Sequence, residues 1–293
     1  MLFYLRKDVI YLREGRRIKT LPPMNLISVY FMPNRNGATN LFSTSIDITE
    51  TDKYLHEKRK EGMPGLGLMH VLITSYIQTA AKYPGINRFI RGQRIYARNS
   101  IDISLTVKKD MSLDAQETVL KIPATPESTL GSVYNTMCGL IEENKKEGDS
   151  NNMDFAVRFL SHFPRILLRF IVGTIKFFDY FALLPKALTN ISPFHGSMFI
   201  TNLGSLGIPP IYHHLYDFGN IPLFIAMGMK YTKPVLKKDG SVENRKFIDV
   251  TLVCDERICD GHYYATAVKH LKKLAEKAWI MENPAEEINT DIK

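Results

Sequence analysis

The chain has 293 residues, 45% of them hydrophobic and 23% charged, proportions of a globular chain able to bury a sizeable core. The 38 Lys and Arg against 30 Asp and Glu leave a formal charge of +8, which favours acidic partners: nucleic acid, phosphorylated cofactors, anionic lipid or an acidic carrier protein. Three cysteines without a C-x-x-C pair exclude a disulfide framework, no run reaches the roughly 18 apolar residues that cross a bilayer, and Met1 opens no leader-like segment, so a reducing, cytoplasmic setting is expected.

An N-terminal segment mixing basic and apolar residues ends at Pro22-Pro23, and Asn34-Arg-Asn-Gly37 marks a turn. In Leu41–Ile48, Phe42, Thr44, Ile46 and Ile48 alternate with polar residues, which predicts a strand, and Thr49 then caps a charged helix over Glu50–Glu61. Met69, Leu72, Ile73, Tyr76, Ile77 and Ala80 recur at three- and four-residue spacing and predict an apolar helix over Leu66–Lys82. Ile86–Arg98 reads as a hairpin around Arg91-Gly92, Ile101–Val107 as a strand, Asp110–Gln116 as a turn, Thr118–Ile122 as the return strand and Glu127–Lys146 as a helix.

Phe155–Leu188 is dense in Phe, Leu and Ile yet carries Arg158, Arg165, Arg169, Lys176 and Lys186, with breaks at Pro164 and Pro185. A strand over Ser197–Thr201 leads into a loop, Asn202–Gly219, rich in Gly, Pro, His and Tyr. Leu223–Met229 reads as a buried strand, Lys237–Gly240 as a hairpin turn, Lys246–Cys254 as a strand and His262–Lys277 as a helix. Helix and strand alternate without a linker or repeat, which predicts one α/β domain over 1–293.

The last strand-to-helix junction is Asp255-Glu-Arg-Ile-Cys-Asp-Gly261. Acid, arginine and acid crowded at such a junction are costly unless paired, and the fork of Arg257 matches a carboxylate, either Asp260 or Asp255. Gly261 allows close backbone approach. Cys254 and Cys259 flank Glu256 and read as small core residues. A serine hydrolase has no G-x-S-x-G here, the glycine pairs at 65/67 and 204/207 lack the lysine of a phosphate loop, and His213-His214 with Glu256 has no metal-ligand spacing, so no metal is expected. No nucleic-acid partner is expected either, since only net charge speaks for one.

The junction resembles the D-H-R-x-x-D-G signature of the dihydrolipoyl acyltransferase cores of 2-oxoacid dehydrogenase complexes, whose H-x-x-x-D-G part is shared with chloramphenicol acetyltransferase. Phe199-Ile-Thr-Asn-Leu-Gly204 is similar to their F-T-I-[ST]-N-L-G strand. Ile46-Asp-Ile-Thr49, Tyr83-Pro-Gly-Ile-Asn-Arg88 and Asn99-Ser-Ile-Asp-Ile-Ser104 are similar to I-D-V-T, F-P-E-I-N-A and N-x-V-D-I-G, in the same order. The resemblance implies a chloramphenicol acetyltransferase-like CoA-dependent acyltransferase fold, a mixed sheet flanked by helices. It further implies a homotrimer with active sites at subunit interfaces, and a coenzyme A thioester or phosphopantetheine carrier as co-substrate.

Carried over by position, Thr201, followed by Asn202, is the oxyanion donor, and Asp260 is a bracing carboxylate partnered by Arg257, Arg16 or Arg17 ahead of Gly261. The departure is Glu256, which stands where the family has its catalytic histidine and is a weaker base at its ordinary pKa. Glu256 itself, His262 at a helix N-terminus, or His213 and His214 in the long loop are the candidate bases. The expected function is stand-alone acyl transfer from acyl-CoA or an acidic acyl carrier protein to a hydroxyl, amine or thiol, because no lipoyl motif or linker is present. The alternative is an inactive binding or scaffold trimer. Residues 155–188 fall where those cores have a short connection. They read as an inserted pair of amphipathic helices that line a channel, cap the trimer or rest on a membrane surface at the inner face.

Overall fold

A computed structural model describes residues 5–6, 9–10, 14–108, 117–146 and 162–292. The strands are β1 (Leu5–Arg6), β2 (Val9–Ile10), β3 (Gly15–Arg17), β4 (Thr39–Asp47), β5 (Phe89–Arg91), β6 (Arg94–Arg98), β7 (Ile101–Lys108), β8 (Glu117–Ala124), β9 (Met198–Asn202), β10 (Leu223–Leu236) and β11 (Val242–Asp255). The helices are α1 (Pro23–Phe31), α2 (Thr49–Lys60), α3 (Leu68–Lys82), α4 (Leu130–Lys146), α5 (Arg165–Tyr180), α6 (Lys186–Ile191) and α7 (Gly261–Glu276).

Six strands form one sheet in the order β4-β11-β10-β9-β7-β8, and β3, β6 and β5 form a second. The large sheet is mixed: β9 runs parallel to β10 and β7, and the other pairs are antiparallel. Strand alternation divides its residues between two faces. Ile103, Ile200, Ile225 and Val250 join the main core with Leu72, Ile73, Tyr76 and Ile77 of α3 and Val268 and Leu271 of α7. Phe199, Phe224 and Val253 point to the other, outer face, where they pack with Leu215 of the long loop and Ile221 just after it.

Helix α3 is the central rod. Its small polar residues are satisfied inside it, Thr74 and Ser75 donating to the carbonyls four residues back (2.8 and 2.7 Å). Helix α2 begins one residue earlier than read, with Thr49 as its first residue and Ile48, which has no side-chain cap bond, at the N-cap; Asp47 ahead of it takes up the free donors of Thr49. Burial, the largest single influence on Asp47, raises its pKa, but the bonds it accepts from the Thr49 N–H (3.0 Å) and hydroxyl (2.6 Å), together with Arg245, outweigh it and hold the carboxyl below the ordinary value. The expected turn over 110–116 lies outside the described residues, as does the 155–161 part of the insertion with Arg158. What is described of the insertion is one 16-residue helix, α5, and the six-residue α6, each starting directly after a proline.

Candidate active site

The junction loop is organised around Asp255, the last residue of β11, which is 1% exposed. Arg257 folds back on it with Nε on Oδ1 (2.8 Å) and Nη2 on Oδ2 (2.7 Å), and the Arg257 N–H donates to the same carboxylate (3.2 Å). A second buried arginine, Arg35, stands with Nε 3.6 Å from Oδ2. Arg35 spends its other nitrogens on the carbonyls of Tyr216 (2.6 Å) and Gly219 (2.7 Å), so it ties the long loop to the motif. Burial lowers the Arg35 pKa from its ordinary value, with Asp255 opposing.

Arg257 therefore serves Asp255 and not Asp260. Asp260 is exposed and caps α7, accepting from the Tyr263 N–H at 2.9 Å. Arg16 and Arg17 do not brace it within the chain either. Arg16 donates to the Asp291 carbonyl (2.9 Å), and Arg17 lies on β3 opposite Tyr96. The physical reason is local: an extended residue just ahead of Gly261 has the free N–H groups of the first helical turn in reach, whereas Arg257 is fully occupied two residues beyond Asp255. Arg88 fastens the C-terminal tail to the same loop, holding Asp291 through two bonds (2.8 and 2.6 Å) and donating to the Ile258 carbonyl (3.0 Å).

Glu256 is half-buried; its N–H donates to the Ala38 carbonyl (2.9 Å), and its carboxylate makes no hydrogen bond or ion pair among the described residues. His262 is exposed in the first turn of α7. Cys254 and Cys259 are buried, and the neighbouring Cys259 thiol together with burial pushes the Cys254 thiol well above its ordinary value, which makes it a poor nucleophile.

Thr201 sits near the end of β9, half-buried on the outer face, with Ala226 beside it on β10 and Thr251 beyond on β11. Its hydroxyl makes no hydrogen bond among the described residues. Asn202 shapes the turn that follows, its Oδ1 accepting from the Ser205 N–H (3.2 Å). The loop then crosses β10 on the outer face. The Ile208 carbonyl accepts from the Met229 N–H (3.0 Å), Pro210 packs where a Cβ on Gly228 would stand, and the Ile211 carbonyl accepts from the Thr251 hydroxyl (2.5 Å).

His213 then lies flat on Phe224, centroids 4.0 Å apart and planes 2° apart, and Phe224 stacks on Phe199 at 4.9 Å. Phe199 and His213 stack on opposite sides of the Phe224 ring, so His213 stands beyond β10 as seen from β9; it shares the outer face with Thr201 but lies about 7 Å away along the sheet and about 9 Å across it. Burial lowers the His213 pKa, keeping the ring neutral near pH 7. Its Nδ1 lies 3.0 Å from both the N–H and the carbonyl of His214, so a partner is present whether that nitrogen is bare or protonated. His214 is exposed, and Asp217 is taken by the Asn36 N–H (2.9 Å).

The motif loop and Thr201 are not brought together within one chain. Glu256 lies five residues beyond Thr251, which is two strands from Thr201, so register places them roughly 19 Å apart.

A mixed six-stranded sheet with helices on one face and a long loop over the other is the acyltransferase fold that the motifs implied. Residues 187–282 match the family model of the 2-oxoacid dehydrogenases acyltransferase (catalytic domain). A probable dihydrolipoamide acetyltransferase from Listeria monocytogenes 4b F2365 is similar in structure at 15% identity and TM-score 0.55, over 94% of this chain and 99% of that one. The dihydrolipoamide acetyltransferase of Azotobacter vinelandii gives 14% identity and TM-score 0.58, over 90% of this chain and 93% of the other. A truncated catalytic core of the 2-oxoacid dehydrogenase multienzyme complex from Thermoplasma acidophilum gives 14% and 0.54, over 89% and 98%. No curated protein matches the chain in sequence. The resemblance read from the motifs is thus shown: the C-terminal third carries the sequence pattern of this catalytic-domain family, and the chain as a whole carries its fold.

Proposed function

We propose that the protein is a stand-alone acyltransferase that moves an acyl group from a coenzyme A or acyl-carrier-protein thioester to a hydroxyl, amine or thiol acceptor. The observation that carries this reading is an unengaged, half-buried Thr201 hydroxyl on the same outer sheet face as the stacked, half-buried His213, whose pKa burial lowers. In the reaction, His213 Nε2 takes the acceptor's proton as the acceptor attacks the thioester carbonyl. The Nδ1 proton of the resulting imidazolium is held by the His214 carbonyl. Thr201 donates to the oxyanion that forms, and collapse of the tetrahedral intermediate expels the thiolate, which recovers the proton from His213.

The assembly that fits is a homotrimer. Leu206, Ile208, Ile211, Tyr212 and Tyr216 expose apolar surface around this face, which a second copy would cover while bringing its own Glu256 and His262 toward the Thr201 end. The +8 charge suits a phosphorylated co-substrate or an acidic carrier. The setting in which such a protein works is the cytoplasm. The competing reading, a binding or scaffold trimer, is favoured by one observation: the motif position of the base holds Glu256, remote from Thr201 in the chain.

The test is turnover. The purified protein is incubated with a panel of acyl-CoAs and acyl carrier proteins, and free thiol is followed for wild type, His213→Ala, His214→Ala, Glu256→Gln and His262→Ala. Acyl transfer requires thiol release, with His213→Ala the most impaired. Absence of turnover and of thioester binding across the panel rejects the enzyme and leaves the scaffold.

A further inference from the structure

Helix α5 presents three different sectors. At 100° per residue, Leu168, Ile171, Ile175 and Asp179 fall on one side, all partly or fully buried against the protein. Ile166 (86% exposed), Phe170 (71%) and Phe177 (57%) fall on a second, with Leu167 and Phe178 at its margin. Arg165, Arg169 and Lys176, all exposed, form a third stripe about 100° round from the apolar one.

The helix is held firmly in this orientation. Asp179 is ion-paired to Arg91 (3.1 Å) and bonded to His195 (3.0 Å), and the Tyr180 hydroxyl donates to Gln93 (3.0 Å). Burial on its own raises the Asp179 pKa, but the His195 bond and the Arg91 charge outweigh it and hold the carboxyl below its ordinary value. Asp179 is also the only acid between Phe155 and Leu188, so every exposed charge on the described part of this segment is positive.

We infer that this face of α5 is a docking surface for an anionic lipid bilayer, with the helix lying in the membrane plane. The occupant follows from charge and shape. A second copy of a +8 chain would bring like charge to the cationic stripe, whereas anionic headgroups complement it. Arg165, Arg169 and Lys176 stand beside the apolar stripe at the height where long basic side chains reach headgroups while Ile166, Phe170 and Phe177 enter the acyl boundary. At 16 residues α5 is too short to cross a bilayer, and no described helix is long and apolar enough to do so.

The test is co-sedimentation of the full chain with vesicles of neutral phosphatidylcholine and with vesicles containing 30% phosphatidylglycerol by design, the order of anionic content that produces a negative surface potential. Binding is expected only to the anionic vesicles. Each cation near such a surface raises binding about fivefold, so the triple variant Arg165→Glu/Arg169→Glu/Lys176→Glu binds at least about a hundredfold more weakly. Phe170→Ser/Phe177→Ser, which changes only exposed side chains, also loses binding while keeping the wild-type melting temperature. Equal partition to both vesicle types overturns the inference, as does undiminished binding of the double Phe variant. So does vesicle-independent behaviour in which that variant instead dissociates an oligomer in size-exclusion light scattering, which marks the face as a contact between copies.

Discussion

Replacing Asp255 by Asn keeps the shape of the side chain and removes the carboxylate that, among the described residues, is ion-paired with two buried guanidiniums. Arg35 and Arg257 are 6% and 3% exposed, and after the change neither keeps an ion-pair partner at contact distance among the described residues. Breaking a buried pair by neutralising one member costs about 3–5 kcal/mol, because the remaining charge stays out of water. For a chain of this size that is a fall of about 10 °C in Tm. Asp260→Asn is the internal control. Asn caps a helix about as well as Asp, and the side chain is exposed, so the cost is within about 0.5 kcal/mol. Urea unfolding and calorimetry on both variants decide the matter. Near-equal stability of wild type and Asp255→Asn, or equal losses in the two variants, would refute the assignment of Asp255 as the hub. Because Arg35 also holds the Tyr216 and Gly219 carbonyls, Asp255→Asn is further expected to loosen the loop that carries His213.

Further expectations concern the edge of the sheet and the loop. Burial lowers the Lys121 pKa to about 8, so between pH 8 and its unfolded value near 10.5 the unfolded chain binds more protons. That contribution to stability is present at high pH and is lost as pH falls through 8. Lys121→Met is expected to melt above wild type at pH 7, with the gap narrower at pH 9.5 and closing only above the unfolded value near 10.5; a constant gap contradicts the linkage. A Cβ at Gly228 meets Pro210, so Gly228→Ala is expected to shift the 208–213 segment and lower thiol release several-fold with little change in the far-ultraviolet circular dichroism; unaltered turnover contradicts a positioned loop.

Where burial acted on alternate residues, the fold was legible in the sequence. β4, β7 and α3 appear within two residues of where their patterns place them: β7 alternates against the core, α3 is buried almost all round and keeps its three- and four-residue apolar spacing, and β4 follows its alternation although only Ile46 in it is buried. The far halves of β10 and β11 were not legible. Lys230–Leu236 and Val242–Lys246 pair in a ribbon that is wet on both sides, and Lys233 lying over Phe247 leaves no apolar alternation to read. Helix α1 was missed for a similar reason: Met24, Ile27 and Phe31 face solvent in the single chain.

At the site, the motif residues were found but their partners were not. Asp255, not Asp260, holds Arg257, and the spacing alone left both open. Arg35 read as a turn residue, yet its acceptor Tyr216 is 181 positions away. Nothing local announces that contact. His213 and His214 read alike as an adjacent pair, and only the contact of His213 with Phe224 on the sheet separates them: His213 is half-buried against that ring, His214 is exposed.

The central claim is that Thr201 stabilises the charge that develops during acyl transfer. It is tested by single-turnover thioester consumption in Thr201→Ala and Thr201→Ser. Loss of an oxyanion donor costs about 10²–10³ in kcat. The account predicts that loss for the alanine variant, with unchanged thioester affinity and recovery to near wild type with serine. Equal rates for all three proteins would contradict it.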